Sequence, residues 1–168
     1  MTEQGADLKR EFYLLNADGG NSGDRLGRAA IGALVRTRRL ATVAQISKVI
    51  EPATHNVAEY LALIEGLKLA RDNEIQHIRV YMDSHLVVEQ VNGKSAVKDA
   101  TLLDLHGVAR DLADQFESFR ISWVPRDMNT EADQLVNDAL DGRDEGQFTD
   151  SDTVRGSKRG ESPARDRT

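Results

Sequence analysis

Four carboxylates stand where ordered backbone should hold them: Asp18 in EFYLLNADGG, Glu59 in THNVAEYLAL, Asp83 in IRVYMDSHLVVEQ and Asp133 in VPRDMNTEADQLVNDAL. Carboxylate oxygens are the hard ligands that magnesium takes, and a group of them on a rigid sheet can hold cations against a phosphodiester. Each also has an ordinary structural use. Asp18 precedes Gly19-Gly20 and suits an Asx-turn. Glu59 follows Asn56 at the spacing of an N-cap and a glutamate that reaches back to it. Asp83 opens into Ser84, where a helix N-terminus favours an acid. Thr130 to Asp133 has the form of a capping box. A calcium loop in NADGGNSGD is excluded, because its acids miss the EF-hand spacing and no glutamate closes it. What singles the four out is their conjunction: two end strands, and two lie in the opening turns of helices that leave the same sheet.

The elements that must position them read as follows. Phe12 to Ala17 is a short apolar run that stops at Asp-Gly-Gly, and Ala29 to Val35 and Ala41 to Ile50 read as two further strands. The short link Thr37-Arg38-Arg39 makes these an antiparallel meander, ended by Pro52. Val57, Leu61, Ile64 and Leu67 then recur at helical spacing to about Arg71. Ile75 to Met82 reads as a strand, Ser84 to Val91 as a short helix ended by Asn92-Gly93, Leu102 to Leu112 as a helix, Phe119 to Val124 as a strand and Thr130 to Leu140 as the last helix. Strands separated by helices join a sheet in parallel. The expectation is an α/β (or α+β) fold: a five-stranded mixed sheet, three strands antiparallel and then two parallel, flanked by helices. All four acids meet at one end only if the first and fourth strands are neighbours.

The 168 residues fit one domain and a tail, and 39% hydrophobic content supports a core, built on aliphatic residues because aromatics are 5%. The absence of cysteine excludes disulfides, thiolate metal sites and thiol catalysis. No apolar run approaches the roughly 20 residues of a membrane span, and MTEQGADLKREF has no apolar signal region, so a cytoplasmic location is expected. The net charge of −6 argues against a binder that relies on a broad basic face, but not against an enzyme that meets phosphate through bound cations. From Ser151 apolar residues almost vanish, and the last 18 residues carry +2, leaving −8 for residues 1–150. Residues 1–145 are expected to form the catalytic domain and 146–168 a polar, disordered tail.

The order strand-Asp18-Gly19, Thr54 to Leu63, Asp83 to Gly93 and Trp123 to Leu135 resembles type 1 ribonuclease H over about residues 11–140. The resemblance implies the ribonuclease H fold and cleavage of the RNA strand of an RNA–DNA hybrid, leaving 5′-phosphate and 3′-hydroxyl ends. It implies two Mg2+ ions, with Mn2+ a possible substitute, held by Asp18, Glu59, Asp83 and Asp133. It places Asn56 in the hybrid's minor groove, where 2′-hydroxyls are read, and Thr54 on the DNA backbone. Gly19, Asn21, Ser22, Lys94 and Lys98 are further expected substrate contacts. A monomer with no obligate protein partner and no membrane association is implied.

The chain departs from the family pattern in places. Its first motif is about one residue longer than the common form and lacks a proline, and His55 replaces a frequent asparagine. The basic protrusion of some members is absent, as in the compact prokaryotic-type subgroup, and so is the histidine loop before the last carboxylate. Arg126, seven residues before Asp133, is instead expected to contact the scissile phosphate or to aid product departure. Three alternatives remain at this point: a non-catalytic hybrid-binding module, another nuclease of the ribonuclease H-like superfamily, and a structural protein with capped helices and no site.

Overall fold

Apolar alternation builds a meander of β1 (Tyr13–Asn21), β2 (Ala29–Arg36) and β3 (Thr42–Ile50), each antiparallel to the next. The computed structural model describes residues 11–23 and 27–142, and the backbone of 146–149. After the meander come α1 (His55–Asp72), β4 (His77–Met82), α2 (His85–Val91), α3 (Ala100–Ala113), β5 (Ser118–Trp123), a 3-10 turn at Arg126–Met128 and α4 (Thr130–Leu140). β4 runs parallel to β1, and β5 parallel to β4. The five expected strands thus stand in the expected arrangement. A short β6 (Gly146–Thr149) adds a sixth, antiparallel to β3, and the order across the sheet is β5-β4-β1-β2-β3-β6. Those four residues fall in the stretch expected to be tail. They join the sheet through backbone hydrogen bonds, which composition does not reveal; residues 150–168 lie outside the described residues.

The two faces of the sheet differ in chemistry. Leu15 and Ala17 of β1, Ala33 and Val35 of β2, and Ala44 and Ile46 of β3 are buried on one face, with Val80 beside Leu15. α1 lies on this face, with Gly66 against Leu15 and Ala33. Burying each large aliphatic side chain here contributes about 1.5–3 kcal/mol before the cost of ordering it. The opposite face carries Asn16, Asp18, Gly32 and Ser47 and receives α4; the Ser47 hydroxyl donates to the Leu135 carbonyl at 2.6 Å. Tyr60 of α1 is fully buried, its hydroxyl donates to Gln90 Oε1 at 2.7 Å, and burial pushes its phenol up to about 12. That bond ties α1 to α2, two helices whose N-termini flank the same end of the sheet.

Helix starts differ from expectation in who caps them. Thr54, not Asn56, caps α1, its hydroxyl accepting from the Val57 amide at 3.3 Å. Ser84, not Asp83, caps α2 by accepting from Val87. Thr130 is already helical, the preceding Asn129 makes no side-chain cap, and the capping box expected at Thr130 to Asp133 does not form. β1 also continues through Asp18 and both glycines to Asn21, so Asp18 is a mid-strand residue rather than a turn residue.

Two glycines permit the close approach of helices to β1 and β2. A β-carbon at Gly19 would lie 2.2 Å from the carbonyl carbon and oxygen of Ala58 in α1. One at Gly32 would lie 2.5 Å from the Ala132 carbonyl oxygen and 2.7 Å from Leu135 Cβ in α4. Backbone cannot yield there without moving a helix. Gly19→Ala and Gly32→Ala are each expected to cost about 3 kcal/mol of stability, read as a lower urea midpoint; a wild-type midpoint in both would remove the close-approach argument.

Candidate active site

Strand register brings the first two acids together. Asn16 of β1 is level with Tyr81 of β4 in the parallel pair, so two residues further along each chain Asp18 and Asp83 stand side by side. Helix approach supplies the other two. Glu59 is in the second turn of α1, beyond its opening turn, next to the backbone that Gly19 admits. Asp133 is in the first turn of α4, on the Asp18 face. A cleft of about 160 Å³ is lined by Asp18, Asp83, Asp133 and Arg126 together with Asn21 and His55.

Burial and like charge dominate the electrostatics. Asp18 is 6% exposed and Glu59 2%. Burial, then the charges of Asp83 and Asp133, raise the Asp18 carboxyl from 3.8 to about 7. Burial, then Asp18 and Asp83, raise Glu59 from 4.5 to about 8. Arg126 opposes both shifts; its Nη2 lies 3.8 Å from Asp133 Oδ1, and its side chain is 81% exposed. Glu59 Oε1 lies 2.9 Å from His55 Nε2, while Oε2 is buried with no hydrogen-bond partner. A buried, unpartnered carboxylate oxygen beside two further acids is suited to a cation. Hard oxygen donors fit a divalent metal of the magnesium type. Among the described residues no group of three His, Cys, Asp or Glu side chains is placed to hold a metal ion as it stands; burial and charge define the group.

Of the other residues singled out by sequence, Gly19 is a packing residue under α1 and Thr54 caps that helix. Asn56 and Ser22 are exposed near the same end, and the Asn21 amide donates to the Ala53 carbonyl at 3.4 Å. Lys94 and Lys98 are exposed on the α2–α3 connection, outside the cleft. Sequence reasoning assigned no part to Asn129, which is fully buried and donates 2.7 Å to Asp83 Oδ1 and 3.0 Å to the Ala17 carbonyl. Asn137 donates to Asp133 Oδ2 at 3.4 Å, and Trp123 Nε1 to the Asp83 carbonyl at 3.3 Å. The signal for Asn129 in the sequence is its place in the Trp123 to Leu135 stretch, where it is one of the residues that carry the family resemblance.

A family described as reverse transcriptase-like matches residues 16–139. A bifunctional protein of Mycobacterium tuberculosis is 43% identical over 143 residues, 84% of this chain and 39% of that protein, so the chain spans about two fifths of the length of this relative. Its N-terminal RNase H domain, solved as a fusion with maltose-binding protein, superposes with a TM-score of 0.75 at 43% identity, over 79% of this chain and 96% of that one. RNase H1 from the archaeon Halobacterium salinarum gives a TM-score of 0.73 at 36% identity, over 79% and 98%. LC11-RNase H1, solved in complex with an RNA/DNA hybrid, gives 0.72 at 32%, over 78% and 98%.

The raised acids set a pH dependence. A carboxyl that holds its proton more tightly when folded stabilises the fold at low pH, and that stability is lost as pH rises from the ordinary value through the folded one. With divalent cations chelated, stability contributed by Asp18 and Glu59 is therefore lost from about pH 4 to pH 8. The melting temperature is expected to be about 5 °C lower at pH 9 than at pH 6, with Glu59→Gln shrinking the difference and added Mg2+ restoring the wild type. Equal melting temperatures at the two pH values with divalent cations chelated would contradict the electrostatic account.

Proposed function

Since the chain belongs to the type 1 ribonuclease H family, we propose that it is a divalent-metal endonuclease that hydrolyses the RNA strand of RNA–DNA hybrids. The observation that carries this reading is that Asp18, Asp83 and Asp133 line one cleft, with Glu59 buried close enough to Asp18 and Asp83 to feel their charges and its Oε2 unpartnered. The four would hold two Mg2+ ions, with Mn2+ able to replace them. When bound, the metal supplies Lewis acidity that activates water and stabilises the leaving oxygen of an in-line displacement.

The chain's own groups do the rest. Burial and like charge favour the protonated forms of Asp18 and Glu59 in the cation-free site, and a bound cation would favour their carboxylates. Asn129 holds Asp83 through one oxygen, and Trp123 holds the backbone of the same residue. Water attacks the phosphorus, the bond to the 3′ oxygen breaks, and the products carry 5′-phosphate and 3′-hydroxyl ends. Arg126, exposed and 3.8 Å from Asp133, meets the scissile phosphate. Asn56, in the first turn of α1, reads the minor groove, where 2′-hydroxyls distinguish RNA from DNA. Asn21 and Ser22, at the end of β1, contact the hybrid from beside the cleft, and Lys94 and Lys98 attract its backbone from a distance. A cytoplasmic location and a monomeric state are part of the proposal. No helix among the described residues is long and apolar enough to cross a membrane.

An end-labelled hybrid incubated with Mg2+ or with EDTA, beside duplex DNA and duplex RNA, tests the reading. Metal-dependent cutting of the hybrid's RNA strand is expected, with Asp83→Asn lowering the rate on the order of 10³-fold, about 4 kcal/mol of barrier. Arg126→Ala is expected to lower kcat about tenfold, less than the loss of a buried oxyanion donor because Arg126 is exposed. Hybrid binding without cutting in either Mg2+ or Mn2+ would leave a non-catalytic binding module in place of the enzyme.

A further inference from the structure

Asn129 holds Asp83, but something must hold Asn129. Its Nδ2 faces two acceptors, the Ala17 carbonyl at 3.0 Å and Asp83 Oδ1 at 2.7 Å, and its Oδ1 lies 3.1 Å from Asn16 Nδ2. Turned over, the amide would set its oxygen against both acceptors and its NH2 against a donor. Asn16 in turn presents NH2 to Asn129 because its own Oδ1 accepts from Arg36 Nη2 at 3.0 Å. Both asparagines are reversible groups. Arg36 is not: a guanidinium has only donors and keeps its charge. The direction of the whole chain of bonds is therefore set at Arg36.

Placement and burial agree with that reading. Asn16 is 5% exposed, Asn129 fully buried and the Arg36 side chain 14% exposed. Arg36 is level with Leu14, two residues from Asn16, at an irregularity where β2 pairs Val35 with Ala44 and Arg36 with Thr42, skipping Val43. Such a bulge re-aims a side chain. On its outer side Nη1 lies 3.8 Å from Glu131 Oε1, while Nε is buried without a partner. An apolar side chain of similar length would fill the space without that desolvation cost.

We propose that Arg36 is a positioning residue for the reaction: through Asn16 and Asn129 it fixes the orientation in which Asp83 meets the metal. The functional consequence rests on the nuclease reading, but the relay itself can be read without substrate. The side-chain amide of Asn129 is followed by 15N NMR during titration with MgCl2 in the wild type, Arg36→Met, Arg36→Lys and Asn16→Leu, with melting temperatures alongside. In Arg36→Met and Asn16→Leu the Asn129 resonances should move and the Mg2+ midpoint should rise about tenfold. Cleavage should need correspondingly more Mg2+, with KM for the hybrid within about twofold of wild type. Arg36→Lys, which keeps a charged donor, should lie nearer the wild type, and the double variant Arg36→Met/Asn16→Leu should be no worse than Asn16→Leu. A lowered melting temperature with an unmoved Asn129 resonance and a wild-type Mg2+ midpoint would make Arg36 a structural residue only and overturn the proposal. Should Arg36→Met fail to fold, Asn16→Leu decides by the same criteria. A wild type that shows the predicted Asn129 response but cuts no hybrid would refute the nuclease reading and leave the relay standing.

Discussion

The closeness of helix backbone to sheet backbone governs everything else at the cleft. α1 and α4 lie on opposite faces, yet both must deliver an acid to the same end of β1. Gly19 on one face and Gly32 on the other admit them at neighbouring levels, since Gly32 is paired with Asp18 and Gly19 follows Asp18 in the chain. With either helix held about a methyl group further out, Glu59 or Asp133 would stand away from the Asp18–Asp83 pair set by strand register. The convergence is thus built from two strands in parallel and two glycines, before any interaction among the carboxylates themselves.

Those carboxylates repel one another, and the fold holds them together against that repulsion. The raised Asp18 and Glu59 pKa values express the cost, with burial its largest part. Hydrogen-bonding groups offset part of it: Asn129 and Asn137 each donate to an acid, Ser84 draws Glu59 back down, and His55 Nε2 lies 2.9 Å from Glu59 Oε1, while Glu59 Oε2 has no partner. The unpartnered atom is what separates a site from a set of capped helix ends. A capping acid has its partner in the adjacent backbone; here the caps are Thr54 and Ser84, and the acids beside them are left for another task.

Most of the architecture was legible because it rests on periodicity. The alternation of β1 to β3, the helical spacing of Val57 to Leu67 and the extent of Thr130 to Leu140 all matched the elements found. The acids were legible individually, and their neighbourhood became so once β4 was placed beside β1. Less legible was anything decided by tertiary context. Asp18-Gly19-Gly20 carries turn chemistry, yet it continues as strand because α1 and α4 cover it on both sides. Thr54 and Asn56 are equally good caps by type, and only the backbone angles at Thr54 decide between them. Asn16 and Asn129 are ordinary polar residues until strand and helix bring them within 3.1 Å across 113 residues of sequence. β6 is too short, at four residues, to show a strand period in the sequence.

That last strand changes how the sheet's outer margin meets its surroundings. β3 would otherwise be a nine-residue edge with its amides and carbonyls open to any passing extended chain, the arrangement on which edge-to-edge aggregation is templated. β6 closes the stretch from Ala44 to Ser47, and Lys48 follows where the cover stops. A chain ending at residue 145 would keep every residue of the cleft and still lose this guard. The last few residues of the sheet thus shorten its open edge, a consequence for how the molecule meets others rather than for the geometry of the cleft.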